Sequence, residues 1–97
     1  MVRIIIERYI KQGKERELEN LLLAMRGKAI SQPGYISGET LTAINDPSNR
    51  LVISTWSSEE YWKAWENNPL RQQIASKIEA LLVYPSKTTV YAPLTST

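Results

Sequence analysis

Cysteine, histidine and phenylalanine are all missing from this chain of 97 residues. Without cysteine there is no disulfide, no thiolate nucleophile and no sulfur ligand for zinc. Without histidine there is no imidazole base, no imidazole ligand for a metal or haem, and no serine triad of the usual form. The only aspartate is Asp46, and the four glycines match no phosphate-binding loop. These absences predict a protein without a metal or any other cofactor.

The chain also lacks a large excess of charge of one sign, because its net charge is only +2. Lysine and arginine alternate with glutamate at residues 14–17, so no basic patch for nucleic acid is predicted. The longest apolar runs, at residues 4–6 and 21–25, are far shorter than a membrane span. Glu7 and Arg8 interrupt the N-terminal segment before it reaches the length of the apolar region of a signal peptide. We therefore expect a cytoplasmic protein with neither a nucleic-acid partner nor a membrane partner.

What the chain does contain is the composition of one globular domain, which we assign to residues 1–97. Hydrophobic residues make up 42% of the sequence and charged residues 23%. A chain of this length buries only about two-thirds of its unfolded surface. Its own core is therefore thin, and a second surface would help to stabilise it.

The hydrophobic pattern of the first third predicts a strand and then a helix. Residues 2–10 are rich in β-branched side chains, and apolar groups occupy both faces of the predicted strand. A helix from Lys14 to the Pro33-Gly34 pair carries one apolar stripe at helical spacing. The stripe consists of Leu18, Leu21, Leu22, Met25 and Ala29. Leu23 lies off the stripe and is either exposed or part of a second contact.

The middle of the chain predicts a hairpin. Residues 35–44 and 50–56 read as two strands, and the segment 46–49 suits a type I turn with aspartate first and proline second. Gly38 within the first of these strands indicates a bulge, a close approach of backbone or ligand, or simply a weak point of the strand.

The last third predicts a broken helix and a final strand. Ser57 and Glu60 have the spacing of a capping box, which begins a helix that ends near Asn67. Asn68-Pro69 then starts a second helix, and a strand follows at residues 87–92. The apolar stripe of the second helix consists of Leu70, Ile74, Ile78 and Leu81. We expect residues 93–97 to be a mobile tail.

The resulting βαββαβ order predicts an α+β fold, a ferredoxin-like sandwich with a four-stranded antiparallel sheet and both helical segments on one face. The opposite face of the sheet also carries apolar side chains, so it requires a cover. Pairing two sheets across a two-fold axis supplies that cover. We therefore expect a homodimer formed through the sheet face.

Four large aromatic side chains cluster at the junction between the third strand and the following helix: Trp56, Tyr61, Trp62 and Trp65. Helical spacing lets Tyr61 and Trp62 each share a face with Trp65. The four rings are typical of a flat, apolar pocket, and we treat them as candidate substrate-binding residues. The alternative is that they fill the core, with Trp56 and Tyr61 forming a hydrophobic staple around the Ser57 cap.

One carboxylate stands out as a candidate general base. Glu7 lies mid-strand between Ile6 and Arg8, where partial burial would raise its pKa and make it a better base. The alternative is a solvent-exposed glutamate paired with a neighbouring arginine.

The whole chain resembles the antibiotic biosynthesis monooxygenase family of small, dimeric α/β-barrel proteins. The resemblance rests on Gly13-Lys14-Glu15 at the start of the first helix, on Gln32-Pro33-Gly34-Tyr35, and on the stretch from Leu51 to Trp65. In that stretch a hydrophobic strand ends in Trp-x-Ser and runs into an aromatic helix. The resemblance implies the ferredoxin-like fold and the dimer.

Two branches of the family bear on activity. The haem-degrading branch uses a tryptophan matched by Trp56, a first-strand asparagine and a helical histidine; here the asparagine position holds Ile6 or Glu7, and histidine is absent. The branch that oxidises phenols to quinones without a cofactor has an asparagine and a tyrosine flanking the same tryptophan. Val52 and Trp62 occupy those two positions here.

The resemblance implies a cofactor-independent monooxygenase that acts on a small phenolic or quinol-like compound. Trp56, Trp62 and Trp65 would wall the ring, Glu7 would act as base, and Arg8 or Arg50 would pair with the anion. The alternative is a non-catalytic dimeric barrel that binds a small apolar ligand and serves in stress or regulation.

Overall fold

The fold has seven regular elements in a computed structural model that describes residues 1–94. In chain order they are β1 (Val2–Tyr9), α1 (Glu15–Ala29), β2 (Tyr35–Ala43), β3 (Asp46–Trp56), α2 (Glu59–Glu66), α3 (Pro69–Glu79) and β4 (Lys87–Tyr91). This order confirms the predicted α+β, ferredoxin-like arrangement, with the second helix divided into α2 and α3. The predicted mobile tail lies largely outside the described residues, since 95–97 are not among them.

Strand β1 lies inside the sheet, and its alternation divides the molecule into two faces. The strand order is β2-β3-β1-β4, and every pairing is antiparallel. Val2, Ile4 and Ile6 are buried on the inner face, against the helices. The strand ends one residue earlier than predicted, because Ile10 leaves the ladder and forms an isolated bridge with Leu82. The described ladders thus fix which side chains of β1 meet the core.

The helices cover the inner face with the predicted apolar stripes, and Leu70 is an exception. Leu18, Met25 and Ala29 of α1 are buried, and Leu23 is 69% exposed in the single chain. On α3, Ile78 is fully buried, whereas Leu70, predicted to belong to the stripe, is 46% exposed. Leu70 is only the second residue of α3, and this first turn of the helix lies outside the part that packs on the core.

The predicted hairpin forms, but the turn lies elsewhere. The loop is Ile44-Asn45, and the segment predicted as a type I turn is the beginning of β3. Asp46 Oδ1 accepts hydrogen bonds from the backbone N–H of Ser48 at 3.1 Å and from its hydroxyl at 2.6 Å. This local turn forms a bulge between Thr42 and Ala43 in the ladder with β2. The Ser48 carbonyl accepts a hydrogen bond from Ile10 N–H, and Asn49 pairs with Tyr9 of β1. The Asp46-Pro47 segment therefore belongs to β3, where it forms a bulge and not the hairpin turn.

The predicted capping box is wrong by one residue. Ser57 N–H donates to the carbonyl of Gly34 at 2.8 Å, which keeps Ser57 bound to the neighbouring chain segment. Ser58 is the N-cap, with an extended backbone, and its hydroxyl accepts from Tyr61 N–H at 3.4 Å. A shift of one residue rotates the helix face by about 100°. It is therefore Trp62, and not Tyr61, that faces Trp56.

The break between the helices follows the sequence prediction. Asn68 Oδ1 accepts a hydrogen bond from Leu70 N–H at 2.9 Å, and Pro69 occupies the first helical position. Asn67 caps the C-terminus of α2 through its own backbone N–H, which donates to the carbonyl of Lys63 at 3.1 Å. Among residues 1–94, no helix is long and apolar enough to cross a membrane.

The outer face of the sheet carries an apolar patch that the helices do not cover. Ile5 pairs with Ile53 across β1 and β3, and Leu51 pairs with Leu41 across β3 and β2. Leu41 is exposed, and the other three side chains are half-buried. Because residues directly opposite in a sheet are in contact, these four form one continuous outer apolar patch.

Two glycines have backbone angles that other residues avoid. Gly13 has φ +85° and Gly34 has φ +83°. A Cβ at Gly13 would meet nothing within 4 Å, whereas a Cβ at Gly34 would overlap the ring and Cβ of Tyr61. The Tyr61 ring therefore packs directly onto Gly34. Gly38 is also a close approach, but its near neighbour is the Tyr35 hydroxyl, a side chain rather than backbone or ligand.

We predict that Gly34→Ala destabilises the protein more than Gly13→Ala. Each alanine is strained by roughly 1–2 kcal/mol in the left-handed region. Gly34→Ala must also displace Tyr61 at its Cβ, which adds about 1–3 kcal/mol. Urea denaturation of both variants measures the difference, and equal losses of unfolding free energy would contradict the contact with Tyr61.

Candidate functional site

A cavity lies between the inner face of the sheet and the three helices. The space between its lining residues is about 550 Å³, which includes solvent at the open mouth. Strands β1, β2 and β3 supply one wall, and helices α1, α2 and α3 supply the other. Most of its lining is apolar, as expected of a pocket for a small organic ligand.

Trp56, Trp62 and Trp65 all line this cavity, and the three are between 1% and 3% exposed. Trp56 makes edge-to-face contacts with Tyr35 and Trp62, with ring centroids 5.4 Å and 5.9 Å apart. Its indole N–H donates to the Ser54 hydroxyl at 3.1 Å. The tryptophans therefore belong to the core and to the cavity wall at once, and their role in binding a substrate stays a prediction.

The fourth aromatic residue, Tyr61, does not line the cavity. Its side chain is 45% exposed and packs on Gly34, as described above. The predicted staple between Trp56 and Tyr61 is likewise wrong, because the helix begins one residue later than expected. Trp62 takes the place of Tyr61 in the contact with Trp56.

The acid–base and anion candidates are divided between the two faces of the sheet. Glu7 pairs with Leu51 and Lys87 at a position of β1 that points to the outer face, and it does not line the cavity. Arg50 lies outside the cavity as well, where it donates to the Thr42 hydroxyl at 2.8 Å and to the Pro47 carbonyl. Arg8, the third of these candidates, lines the cavity.

A second buried arginine, Arg71, was not predicted from the sequence and lines the same cavity as Arg8. Arg8 is 3% exposed and Arg71 is 8% exposed. Burial, with a further contribution from the positive charge of Arg71, lowers the pKa of Arg8 to about 10, and the carboxylate of Glu79 opposes this shift. Burial also lowers the pKa of Arg71. The carboxylates of Glu66 and Glu79 oppose the shift of Arg71. A pKa of about 10 leaves the Arg8 guanidinium charged at neutral pH, and arginine side chains in general stay protonated in proteins.

Sequence periodicity carried a signal for both arginines. Arg8 shares the parity of Ile4 and Ile6, and Arg71 precedes Ile74 and Ile78 by three and seven residues. Each arginine is thus a charged residue on an apolar face. Long side chains often reach solvent from such positions, but burial shows that these two do not.

The positions at which the quinone-forming branch carries asparagine and tyrosine also line the cavity. They hold Val52 and Trp62. An amide and a phenol are thereby replaced by a methyl pair and an indole, which makes this part of the cavity wall more apolar. The polar residues of the lining are Arg8, Arg26, Tyr35, Glu39, Thr40, Ser54 and Arg71.

The comparisons with known proteins agree with this geometry. The family model of the antibiotic biosynthesis monooxygenases matches residues 1–77. The chain belongs to this family. The matched region includes all four elements that carry the tryptophans and the two arginines, namely β1, β3, α2 and the body of α3.

Individual family members and solved structures are distant in sequence. Protein SchA from Streptomyces halstedii is 24% identical over 78 residues, which cover 80% of this chain and 20% of SchA. The chain therefore spans about a fifth of the length of this curated relative. A conserved protein from Methanosarcina mazei has a TM-score of 0.89 at 16% identity, with 93% of this chain and 89% of that chain covered.

The cofactor-independent oxygenase SnoaB from Streptomyces nogalater has a TM-score of 0.83 at 16% identity. The comparison covers 98% of this chain and 95% of SnoaB. At such identities the likeness shows the fold alone. What it establishes is that the fold of this chain occurs in an oxygenase that works without a cofactor.

We predict that Trp56→Ala lowers the unfolding free energy by about 3–5 kcal/mol, because it removes a fully buried ring. Tyr61→Ala, in which the lost ring is half in solvent, should cost much less. Thermal melts of the two variants test this ranking. A loss for Trp56→Ala no larger than that for Tyr61→Ala would contradict the packing described for Trp56.

Proposed function

We propose that this protein is a cofactor-independent monooxygenase that oxidises a small phenolic or quinol-like aromatic compound bound in the cavity. The observation that carries the proposal is the tryptophan-walled cavity with charged guanidinium groups in its lining. Membership of the antibiotic biosynthesis monooxygenase family and the fold shared with SnoaB support it.

The reaction balances with dioxygen as the only oxidant. A phenol with a hydrogen on the para carbon reacts with dioxygen to give a quinone and water. One oxygen atom forms the new carbonyl at the para carbon, while the O–O bond breaks and the other oxygen leaves as water. The hydroxyl hydrogen and the ring hydrogen of the substrate end in that water. All four electrons come from the substrate, so no flavin, haem or external reductant is required.

The residues of the cavity supply three contributions to this reaction. Indole rings bind a flat aromatic ring through stacking or edge contacts. Positive charge in a site shielded from water favours the ionised phenol, which is the form that donates an electron readily. The apolar walls keep water away from reactive intermediates. Since Glu7 faces the other side of the sheet, we propose that the phenol loses its proton to solvent at the cavity mouth.

Oxygen uptake with a panel of hydroxynaphthalenes and anthrones tests the proposal. We expect consumption with at least one of them. Trp62→Ala or Trp65→Ala should lower the rate at least about tenfold, because one lost wall contact of more than 1.4 kcal/mol has that effect. Tyr61→Ala is the matched control, since Tyr61 lies on the same helix outside the cavity.

A different outcome would identify the alternative function. Saturable binding of these compounds without oxygen uptake would contradict the monooxygenase and indicate a non-catalytic protein that binds a small apolar ligand. No binding by the wild-type protein would contradict both functions.

We further propose that two copies of the chain form a homodimer through the outer apolar patch of Ile5, Leu41, Leu51 and Ile53. These side chains are exposed or half-buried in the single chain, and a second sheet packed face to face would remove them from water.

Sedimentation equilibrium tests the dimer. We expect a mass twice that of the 11.1 kDa chain at micromolar concentration. Leu51→Glu, which places a charge in the centre of the patch, should give a folded monomer, whereas Leu23→Glu, the same substitution at an exposed leucine of α1, should leave the dimer intact. A wild-type monomer at micromolar concentration would contradict the interface.

A further inference from the structure

The inner region of the cavity holds two buried positive charges that form no salt bridge among the residues that the structure describes. Arg8 and Arg71 are each more than nine-tenths buried and line the same space. Among residues 1–94 neither guanidinium takes part in a salt bridge; the pair that does form joins Arg50 and Glu19 at 3.9 Å. The carboxylates of Glu66 and Glu79 act on these cations only from beyond salt-bridge distance. Two buried cations without a contacting carboxylate are costly, because burial removes their hydration.

Three buried hydrogen-bond donors in this region have no partner in the described part of the chain, residues 1–94. They are the Nε atoms of Arg8 and Arg71 and the indole Nε1 of Trp62. Trp56 provides the contrast within the same cavity, because its indole N–H is bound by Ser54. Buried donors are normally satisfied, so three unsatisfied donors in one cavity indicate a ligand that supplies acceptors.

The arrangement of these groups is fixed by packing. The guanidinium carbon of Arg71 lies 5.0 Å from the centroid of the Trp62 ring, which is the geometry of a cation–π contact. Trp62 is held in turn by its contact with Trp56. Arg8 extends from β1 at a position paired with Arg50 of β3, one residue beyond the last pair with β4. The donors are therefore positioned before a ligand arrives.

We propose that Arg8, Arg71 and the indole N–H of Trp62 form an anion site, and that the ligand is an aromatic hydroxy acid whose carboxylate binds there. Guanidinium groups match the two oxygens of a carboxylate, which is ionised at neutral pH, whereas a simple phenol with a pKa of about 10 is neutral. After loss of the phenol proton such a ligand carries two negative charges, one for each guanidinium.

This inference deepens the proposed function and rests on it for the aromatic nature of the ligand. Its test is therefore made with a compound that is not oxidised. 2-Naphthoate carries the ring and the carboxylate but no phenol, and 2-naphthamide is its neutral counterpart of nearly the same shape. Their dissociation constants are measured by calorimetry at pH 7 with the intact protein.

We expect the wild-type protein to bind 2-naphthoate at least about tenfold more tightly than 2-naphthamide, because hydrogen bonds to a charged group are worth at least that factor. Arg8→Gln and Arg71→Gln should each bring the two affinities close together. Arg3→Gln is the matched control, since it removes the same charge from the exposed side of β1 and should preserve the preference.

Thermal stability provides a second readout that a merely structural role would not reproduce. If no group of the protein offsets the cost of burying the Arg8 charge, the melting temperature of Arg8→Met without ligand should be no lower than that of the wild type. 2-Naphthoate should raise the melting temperature of the wild type but not that of Arg8→Met. A substantial loss of stability in Arg8→Met alone would show that Arg8 serves the fold.

Equal affinity of the wild type for the two naphthalenes would overturn the anion site and leave the proposed oxidation of neutral phenols standing. An equal loss of preference in Arg3→Gln would also overturn it, because net charge alone would then explain the binding. Failure of both naphthalenes to bind would contradict the anion site together with the aromatic ligand of the proposed function.

Discussion

The alternation of side chains along β1 is the constraint on which the rest of the structure depends. The strand is hydrogen-bonded to β3 on one side and to β4 on the other, so it cannot rotate or shift by one residue without losing both ladders. Its inner face supplies Ile4 and Ile6 to the core, and the same period then places Arg8 among them. The register that builds the core therefore also carries a cation into the cavity.

A consequence of this register is that stability and ligand recognition conflict at one position. An apolar residue in place of Arg8 would continue the pattern of the strand and relieve a buried charge. A guanidinium at that position makes sense when something else in the cavity supplies the negative charge. Local departures from the rules of packing are expected at functional sites, because a site optimised for folding alone would be filled.

Sequence reasoning recovered the order of elements, because that order follows from local signals with strong physical causes. Examples are the helix stripe with Leu18 and Met25, and the break at Asn68-Pro69, where the amide side chain caps the next helix. The start of α2 was misplaced because Glu60 gives Ser57 the spacing of a capping box, although Ser58 is also a good N-cap residue. The choice between them is made by a hydrogen bond to Gly34, which is distant in the chain. The hairpin turn was misplaced for a similar reason, since the Asp46 turn is absorbed into a strand that also pairs with β1.

The candidate site was recovered only in part. The tryptophans were identifiable from their clustering. Glu7 was a candidate base, but it lies on the outer face, and no single residue of the sequence states which side of β1 meets the helices. Arg71 could have been found from its position on the apolar stripe of α3. Its burial, however, depends on stacking against Trp62 of a different helix, and that is a tertiary contact.

The contact between Arg71 and Trp62 crosses the break between α3 and α2. The charge belongs to one helix and the ring beneath it to the other, while Asn68 and Pro69 set the angle at which the two meet. Any rotation of α3 against α2 changes the distance between charge and ring, and with it the electrostatic potential inside the cavity. The angle between α2 and α3 and the electrostatic potential inside the cavity are therefore coupled in this protein.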